Sequence, residues 1–418
     1  MKTFSKIVLY VIAVAVLAWF LPWIYALAFP APSGEPFCSF SPVNGKWVVS
    51  RSVPGEKPVI NVYNSNPVNG EQAFHEITRN ERDSLVPQLF YKELLAHDKL
   101  PDSIAGKAVS AHELRTHELM LNTSPRDIVK RQPGVWLMME SMPERVDLTD
   151  ADQVFRFTSD GAIEFVDMAT NSINTSRSKR FTDTMKKRGF SFPARDLSAN
   201  VTSRKQYDEG YLMIDNDGKL FHVKQQAGRP YVAAIKMPGG AEASKVFITE
   251  EMNRAILGFV TDADNNLYVI EHDGGYQVLP LPVGKVDPRK ESILAMGNLF
   301  NTAFRFSGTG ESRWRAVERT ADGYRLLGTY DYNAPRTAAA KVADYIFPFT
   351  LTYVSNSDSL AYPRLGRWSW HAIYLNLLLT VILVATWRRR KDGWLYAGTL
   401  CTIVFGIYAF IPFILLKD

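Results

Sequence analysis

Apolar residues gather in three uninterrupted blocks near the ends of this chain and mix with polar residues everywhere between. The first block, Ile7 to Phe29, runs 23 positions without a charge. As a helix rising 1.5 Å per residue it reaches about 34 Å, enough for a bilayer core of about 30 Å. Trp368–Trp387 and Trp394–Leu416 repeat the pattern at the other end, separated only by residues 388–393. So short a connection permits only an antiparallel helical hairpin. The pattern predicts three transmembrane helices, 7–29, 368–387 and 394–416, a short leading segment, 1–6, and one large domain, 38–362, between them. Lys2, Lys6 and Ala26-Leu27-Ala28 also fit a cleaved signal peptide, although the apolar stretch exceeds the usual h-region of about 7–15 residues.

The central stretch alternates short runs rich in Val, Ile, Phe and Tyr with turn pairs. Ser159-Asp160-Gly161, Asn216-Asp217-Gly218, Asp264-Asn265-Asn266 and Asp322-Gly323 each precede an apolar run. Such turns mark β-hairpins. Their aspartates, at 160, 217, 264 and 322, are spaced by 57, 47 and 58 residues. A recurring strand–turn–strand unit of about 40–50 residues is the mark of propeller blades. Asn44-Gly45 and Asn69-Gly70 add earlier hairpins. The expected fold is therefore mainly β: a degenerate β-propeller-like domain with helical insertions, a β-sandwich with insertions being the rival. The insertions open at Thr78-Arg79-Asn80-Glu81 and Ser110-Ala111-His112-Glu113, both capping boxes, and a basic helix is predicted over 178–188.

Charge sets the expected orientation. The net charge of +5 is nearly accounted for by Arg388, Arg389, Arg390 and Lys391 in the tight connection. Cations in short loops stay cytoplasmic, and Lys2 and Lys6 place the N-terminus on the same side. The large domain and the C-terminus then lie on the far side, which for an inner-membrane, multi-pass protein is the periplasm. The rest of the chain is close to neutral and shows no nucleic-acid footprint. Within the last two helices, Gly398, Thr402 and Gly406 share one face, as do Asn376 and Thr380. Small and polar faces of this kind pack against each other or receive a partner helix.

Catalytic chemistry is not visible. His112 and His117 stand five apart, about 140° around a helix, where HExxH needs four. Asp215 and Asp262 open loops that resemble calcium sites, but twelfth-position Glu ligands are lacking, and hairpin turns account for these aspartates. Neither a GxSxG serine nor a phosphate-binding glycine loop occurs, and two cysteines, Cys38 and Cys401, cannot make a zinc or CxxC site. The expectation is a non-enzyme without metal or cofactor.

Four strings carry a resemblance: Phe165-Val166-Asp167-Met168-Ala169-Thr170-Asn171, Lys186 through Arg195, Tyr207-Asp208-Glu209-Gly210-Tyr211, and Gly258 through Asn265. They resemble an uncharacterised bacterial family of envelope membrane proteins, defined by a domain of unknown function and often encoded beside ABC-transporter components. The resemblance implies an accessory or sensor subunit of an inner-membrane transport assembly, with the bilayer and an ABC-transporter permease as partners. A stand-alone envelope ligand-binding protein is the alternative.

Overall fold

The computed structural model describes residues 2–30, 34–52, 57–67, 73–129, 134–141, 148, 150–205, 207–272, 274–308, 310–355, 358, 360–366, 368–387 and 393–416. The cationic run Arg388, Arg389, Arg390 and Lys391 and the Asn69-Gly70 turn lie outside the described residues. The chain divides into two compact units. A β unit comprises Glu35–Ser52 and Lys57–Asn333; a helical unit comprises Met1–Gly34, Val53–Glu56 and Ala334–Asp418. Residues 334–362, read from sequence as the end of the β domain, thus group with the apolar helices.

The β unit is built from antiparallel meanders of consecutive strands, with one earlier strand added to the last sheet. Sheet I holds Phe37–Phe40, Trp47–Arg51, Val59–Tyr63 and His75–Glu76; sheet II holds Trp136–Leu137, Gln153–Phe157 and Ile163–Asp167. Sheet III holds Asp196–Ser198, Tyr211–Ile214, Leu220–Gln226 and Arg229–Ile235; sheet IV holds Ala243–Ile248, Ile256–Asp262, Asn266–Glu271 and Gln277–Lys285. Sheet V runs Ser292–Gly297, Thr302–Ser307, Glu311–Thr320 and Gly323–Asn333, and Leu119–Thr123 joins its first strand as a fifth. A succession of separate small sheets is not the two-sheet arrangement of a sandwich.

The Asp turns recur because one side chain organises each. Asp215 Oδ1 accepts from the N–H groups of Asp217 and Lys219, at 3.0 and 2.8 Å. Asp262 Oδ1 accepts from Asp264 and Asn266 in the same way, at 2.9 and 2.8 Å. In both, Oδ1 shapes the hairpin, while Oδ2 accepts from the Ser191 N–H in the first and from the Asn266 and Tyr268 side chains in the second. The Asp322 turn is out of phase with them: it joins the last two strands of its sheet, whereas those at Asp217 and Asp264 join the second and third. The equivalent connection in sheet V is the one between Ser307 and Glu311, so the long last spacing mixes two kinds of turn.

Period-two alternation sends neighbouring residues to opposite faces, and here both faces are buried. Tyr211 and Met213 pack toward sheet II with Phe155 and Phe165, while Leu212 and Ile214 pack toward sheet IV with Val246 and Val260. Leu267 and Val269 pack with Phe304 and Phe306 of sheet V, while Tyr268 and Ile270 turn to sheet III. Sheet V in turn packs Trp314 and Tyr330 on Trp47 and Val49 of sheet I. Burial on two sides explains runs such as Leu267–Ile270, which are apolar throughout.

Helices fill the remaining edges. Thr78 caps Arg79–Leu85 with both halves of its capping box, and the chain restarts as Tyr91–Ala96 after Pro87. The basic helix runs Thr175–Lys187, one turn earlier than the sequence reading, because Asn174 is its N-cap. Phe181 and Met185 anchor it on sheets II and III.

The helical unit corrects the three-span reading. Among the described residues only Phe4–Ala28 is long and apolar enough to span a membrane or to serve as a signal sequence. Trp368–Trp387 shortens to Ala372–Trp387, 16 residues or about 24 Å, because residues 370–371 form a turn. Trp394–Leu416 is not one helix but two, Gly393–Phe405 and Ile407–Leu415. The break falls at Gly406, whose φ of 54° and ψ of −129° only glycine adopts readily. The four helices share clusters built on Tyr10, Leu383, Ala409 and Phe413 and on Ala18, Phe347 and Tyr408. Tyr10 and Tyr408 hydroxyls donate to the Ala409 and Phe349 carbonyls at 3.2 and 2.6 Å.

Candidate functional site

The chemistry-bearing cluster of the β unit begins at a turn. Asp208 Oδ2 accepts from the Gly210 N–H at 3.0 Å just before the strand Tyr211–Ile214. Gly210 has φ +70°, and a Cβ there would stand 2.6 Å from the Val223 carbonyl. The tight approach places Glu209 beside the next strand, where His222 and Lys224 share one face. Glu209 accepts from Lys224 Nζ at 3.0 Å and from Arg254 Nε at 2.8 Å. Arg254 comes from the loop between the first two strands of sheet IV and lies 3.7 Å over the Tyr207 ring. Lys224 also donates to the Tyr207 hydroxyl at 2.7 Å.

Burial shapes every charge here. It works against ionisation of Glu209, but the Lys224 and Arg254 cations outweigh it and hold the carboxyl below its ordinary range. His222 is fully enclosed, and burial with the nearby Lys224 charge pushes it down to about 4. It is therefore neutral, and its 3.9 Å approach to the Glu209 carboxylate is not an ion pair. The tautomer follows. His222 Nε2 meets the Glu209 carbonyl, which only accepts, so Nε2 carries the proton. Nδ1 then accepts from Tyr276, at 2.7 Å, and Tyr276 accepts from Tyr231, at 2.9 Å. His272 stacks on Tyr276 with centroids 4.8 Å apart.

In front of this network lies a pocket of about 420 Å³. Arg115, Arg204, Lys205 and Arg254 line it against Glu209, Glu250 and Glu251, with Tyr207 and Thr249 among them. Glu250 accepts from Lys205, from Asn200 Nδ2 at 2.8 Å and from the Glu209 N–H at 3.0 Å. Glu251 is buried, and desolvation pushes it up to about 8 although the Ile256 N–H bonds it. At pH 7 its carboxyl is neutral. A second pocket, of about 250 Å³, shares Glu251 and Ile256 with the first.

The residues singled out from sequence lie elsewhere, in the helical unit. Asn376 Nδ2 donates to the Ile403 carbonyl at 3.0 Å, the Thr380 hydroxyl bonds the Asn376 carbonyl at 2.8 Å, and Thr402 bonds the Gly398 carbonyl at 2.8 Å. A Cβ on Gly398 would stand 2.9 Å from Phe413 Cζ, and one on Gly406 would stand 2.8 Å from Asn376 Cγ. His112 and His117 sit at opposite ends of the short helix around Ala111–Thr116, where His117 Nδ1 meets the Glu113 carbonyl at 2.8 Å. Among the described residues no group of three or more His, Cys, Asp or Glu is placed to hold a metal ion. The pocket went unread in the sequence. The one local signal for it is the Tyr207–Tyr211 string, which carries the family likeness but no motif of chemistry.

Fold and site together define a mainly β protein with an apolar helical unit and a cationic pocket. The chain belongs to the family described as Domain of unknown function (DUF4857), which matches residues 37–317 and so contains the whole pocket. No curated protein matches it. Among solved structures, the WD40 domain of SCAP from fission yeast is 7% identical, with 78% of each chain covered and a TM-score of 0.28. A protein from Lactobacillus plantarum is 7% identical, covering 56% of this chain and 81% of that one, with a TM-score of 0.21. At these TM-scores neither likeness speaks to fold or function.

Proposed function

We propose that this protein is a membrane-anchored, non-enzymatic binding protein, acting as an accessory or sensor subunit of an inner-membrane transport assembly. The β unit is read as a degenerate propeller, since successive meanders packed face to face are how blades assemble. It stands on the periplasmic side and presents its pocket there. The helical unit embeds in the bilayer with all three apolar segments, the last one kinked. Its outward side chains support this: Val11, Val16, Leu378, Val381, Leu400 and Leu415 are all exposed, which suits lipid and not water. The bacterial envelope setting and the ABC-transporter permease as partner come from the sequence resemblance.

The pocket lined by Tyr207, Glu251 and Arg254 carries the binding reading. Binding fits it better than catalysis, because His222 is sealed from solvent and Glu209 is held between two cations. The test places a bimane label on Met252→Cys, a pocket residue, in a Cys401→Ser background of the full chain in detergent. A small-molecule extract of the cell envelope should shift its emission, and a mild-detergent pull-down should return a transporter membrane subunit. No shift ends the binding reading; no subunit ends the accessory role. The stand-alone alternative is favoured by one observation: Gly398 and Gly406 already face Phe413 and Asn376 of their own chain.

A further inference from the structure

The groups around the pocket sort by what they have left to offer. Its carboxylates are already engaged: Glu209 by Lys224 and Arg254, Glu250 by Lys205, Asn200 and a backbone N–H. Glu251 is neutral, so it adds no repulsion toward a negative ligand. The donors are the opposite case. Neither Arg115 nor Arg204 has an ion-pair partner among the described residues, and both are exposed at the pocket. The Tyr207 oxygen accepts from Lys224, which leaves its own O–H without an acceptor among the described residues. Two guanidinium forks without ion-pair partners and an unspent phenol O–H call for a ligand rich in acceptors.

We infer that this pocket binds a small ligand carrying an oxyanion, a carboxylate or phosphoryl group, held by Arg115 and Arg204 and hydrogen-bonded by Tyr207. The inference rests on the reading of the β unit as a binding domain. A volume of about 420 Å³ leaves room beyond the oxyanion for a body of several further atoms. Arg254 plays a positioning part. It is committed to Glu209 and the Tyr207 ring, and so keeps Tyr207 in place.

The experiment titrates the bimane-labelled full chain with inorganic phosphate and with citrate, in phosphatidylcholine nanodiscs. At least one should shift the emission at millimolar concentration or below. Arg115→Gln with Arg204→Gln should weaken that response at least tenfold, whereas Lys179→Gln, in an exposed pair with Asp183, should leave it unchanged. A response to the soluble anions marks a free solute. One seen only when phosphatidylglycerol replaces phosphatidylcholine, and lost in the double variant, marks a lipid headgroup; both support the inference. An unchanged response in the double variant overturns it. So does a response to a neutral disaccharide or to spermidine with none to anions, which leaves the binding reading standing. Silence toward every probe, the envelope extract included, overturns both.

Discussion

Replacing Lys224 by methionine keeps the side-chain stem and removes only the charge that holds Glu209. Lys224 is 2% exposed, and its partner is 4% exposed. Breaking a buried pair from one side costs about 3–5 kcal/mol, because the other charge is left desolvated. Arg254 still bonds Glu209, but its side chain is 43% exposed and partly screened by water, so the lower figure, about 3 kcal/mol, is expected. For a unit of this size that is a fall of roughly 6 °C in thermal midpoint, read by tryptophan fluorescence on the full chain in detergent. The pH dependence carries the diagnosis. In the native protein Glu209 is held below its ordinary pKa, so the pair's contribution is present above that ordinary value and is lost as pH falls through the native one. The Lys224→Met deficit should therefore be complete at pH 7.5 and shrink toward pH 4. Adding Glu209→Gln should restore part of the loss, since no buried charge then remains. A deficit below about 1 kcal/mol, one independent of pH, or a double variant costing the sum of the singles would refute the electrostatic account.

Glu251→Gln should flatten a different part of the profile. Burial raises this carboxyl from 4.5 to about 8, so the fold loses stability as pH climbs through that window, and the variant should lose less; an unaltered slope between pH 5 and 8 counts against a buried neutral acid. Gly210→Ala forces a Cβ within 2.9 Å of Lys224 Cα at a φ of +70°, and a loss of at least about 1–3 kcal/mol is expected in urea unfolding. Gly398→Leu with Gly406→Leu should lower the yield of intact protein by crowding Phe413 and Asn376; a stable double variant that loses only its partner would show that these faces serve docking. A reporter active only in the cytoplasm, fused after Asp418, should be silent, and strong activity there would reverse the proposed orientation.

What could be read from sequence, and what could not, divides along one physical line. Interactions that close within a few residues were legible: the Thr78 capping box, the Asp215 and Asp262 hairpins, the restart after Pro87. The first three are side chains bonding backbone two to four positions away, the last is a proline that cannot continue a helix, and spacing alone reveals them. The apolar ends were legible as composition but not as geometry, because hydropathy is blind to φ and Gly406 breaks an unbroken run of apolar residues. Residues 338–346 carry a Thr337 cap and an alanine-rich run that favour a helix, but they sit at the end of a stretch whose turn pairs point to strands, and the pattern groups them with it. The pocket belongs to a third kind. Glu209 meets Lys224 across a strand pair and Arg254 across a sheet boundary, and Arg115 reaches the same pocket from a distant insertion. Nothing in the local pattern distinguishes Lys224 from a solvated lysine on an ordinary strand. What makes it different is that sheet III is covered on both faces, so an alternation that would normally send one face to water sends both inward. A charged residue in such a strand must find a partner or pull its pKa toward neutrality. The rule can be turned around for reading sequences: an ionisable residue in a strand beside one that is apolar at every position, as His222 and Lys224 of Leu220–Gln226 lie beside Tyr211–Ile214, deserves a search for its partner before any motif is sought.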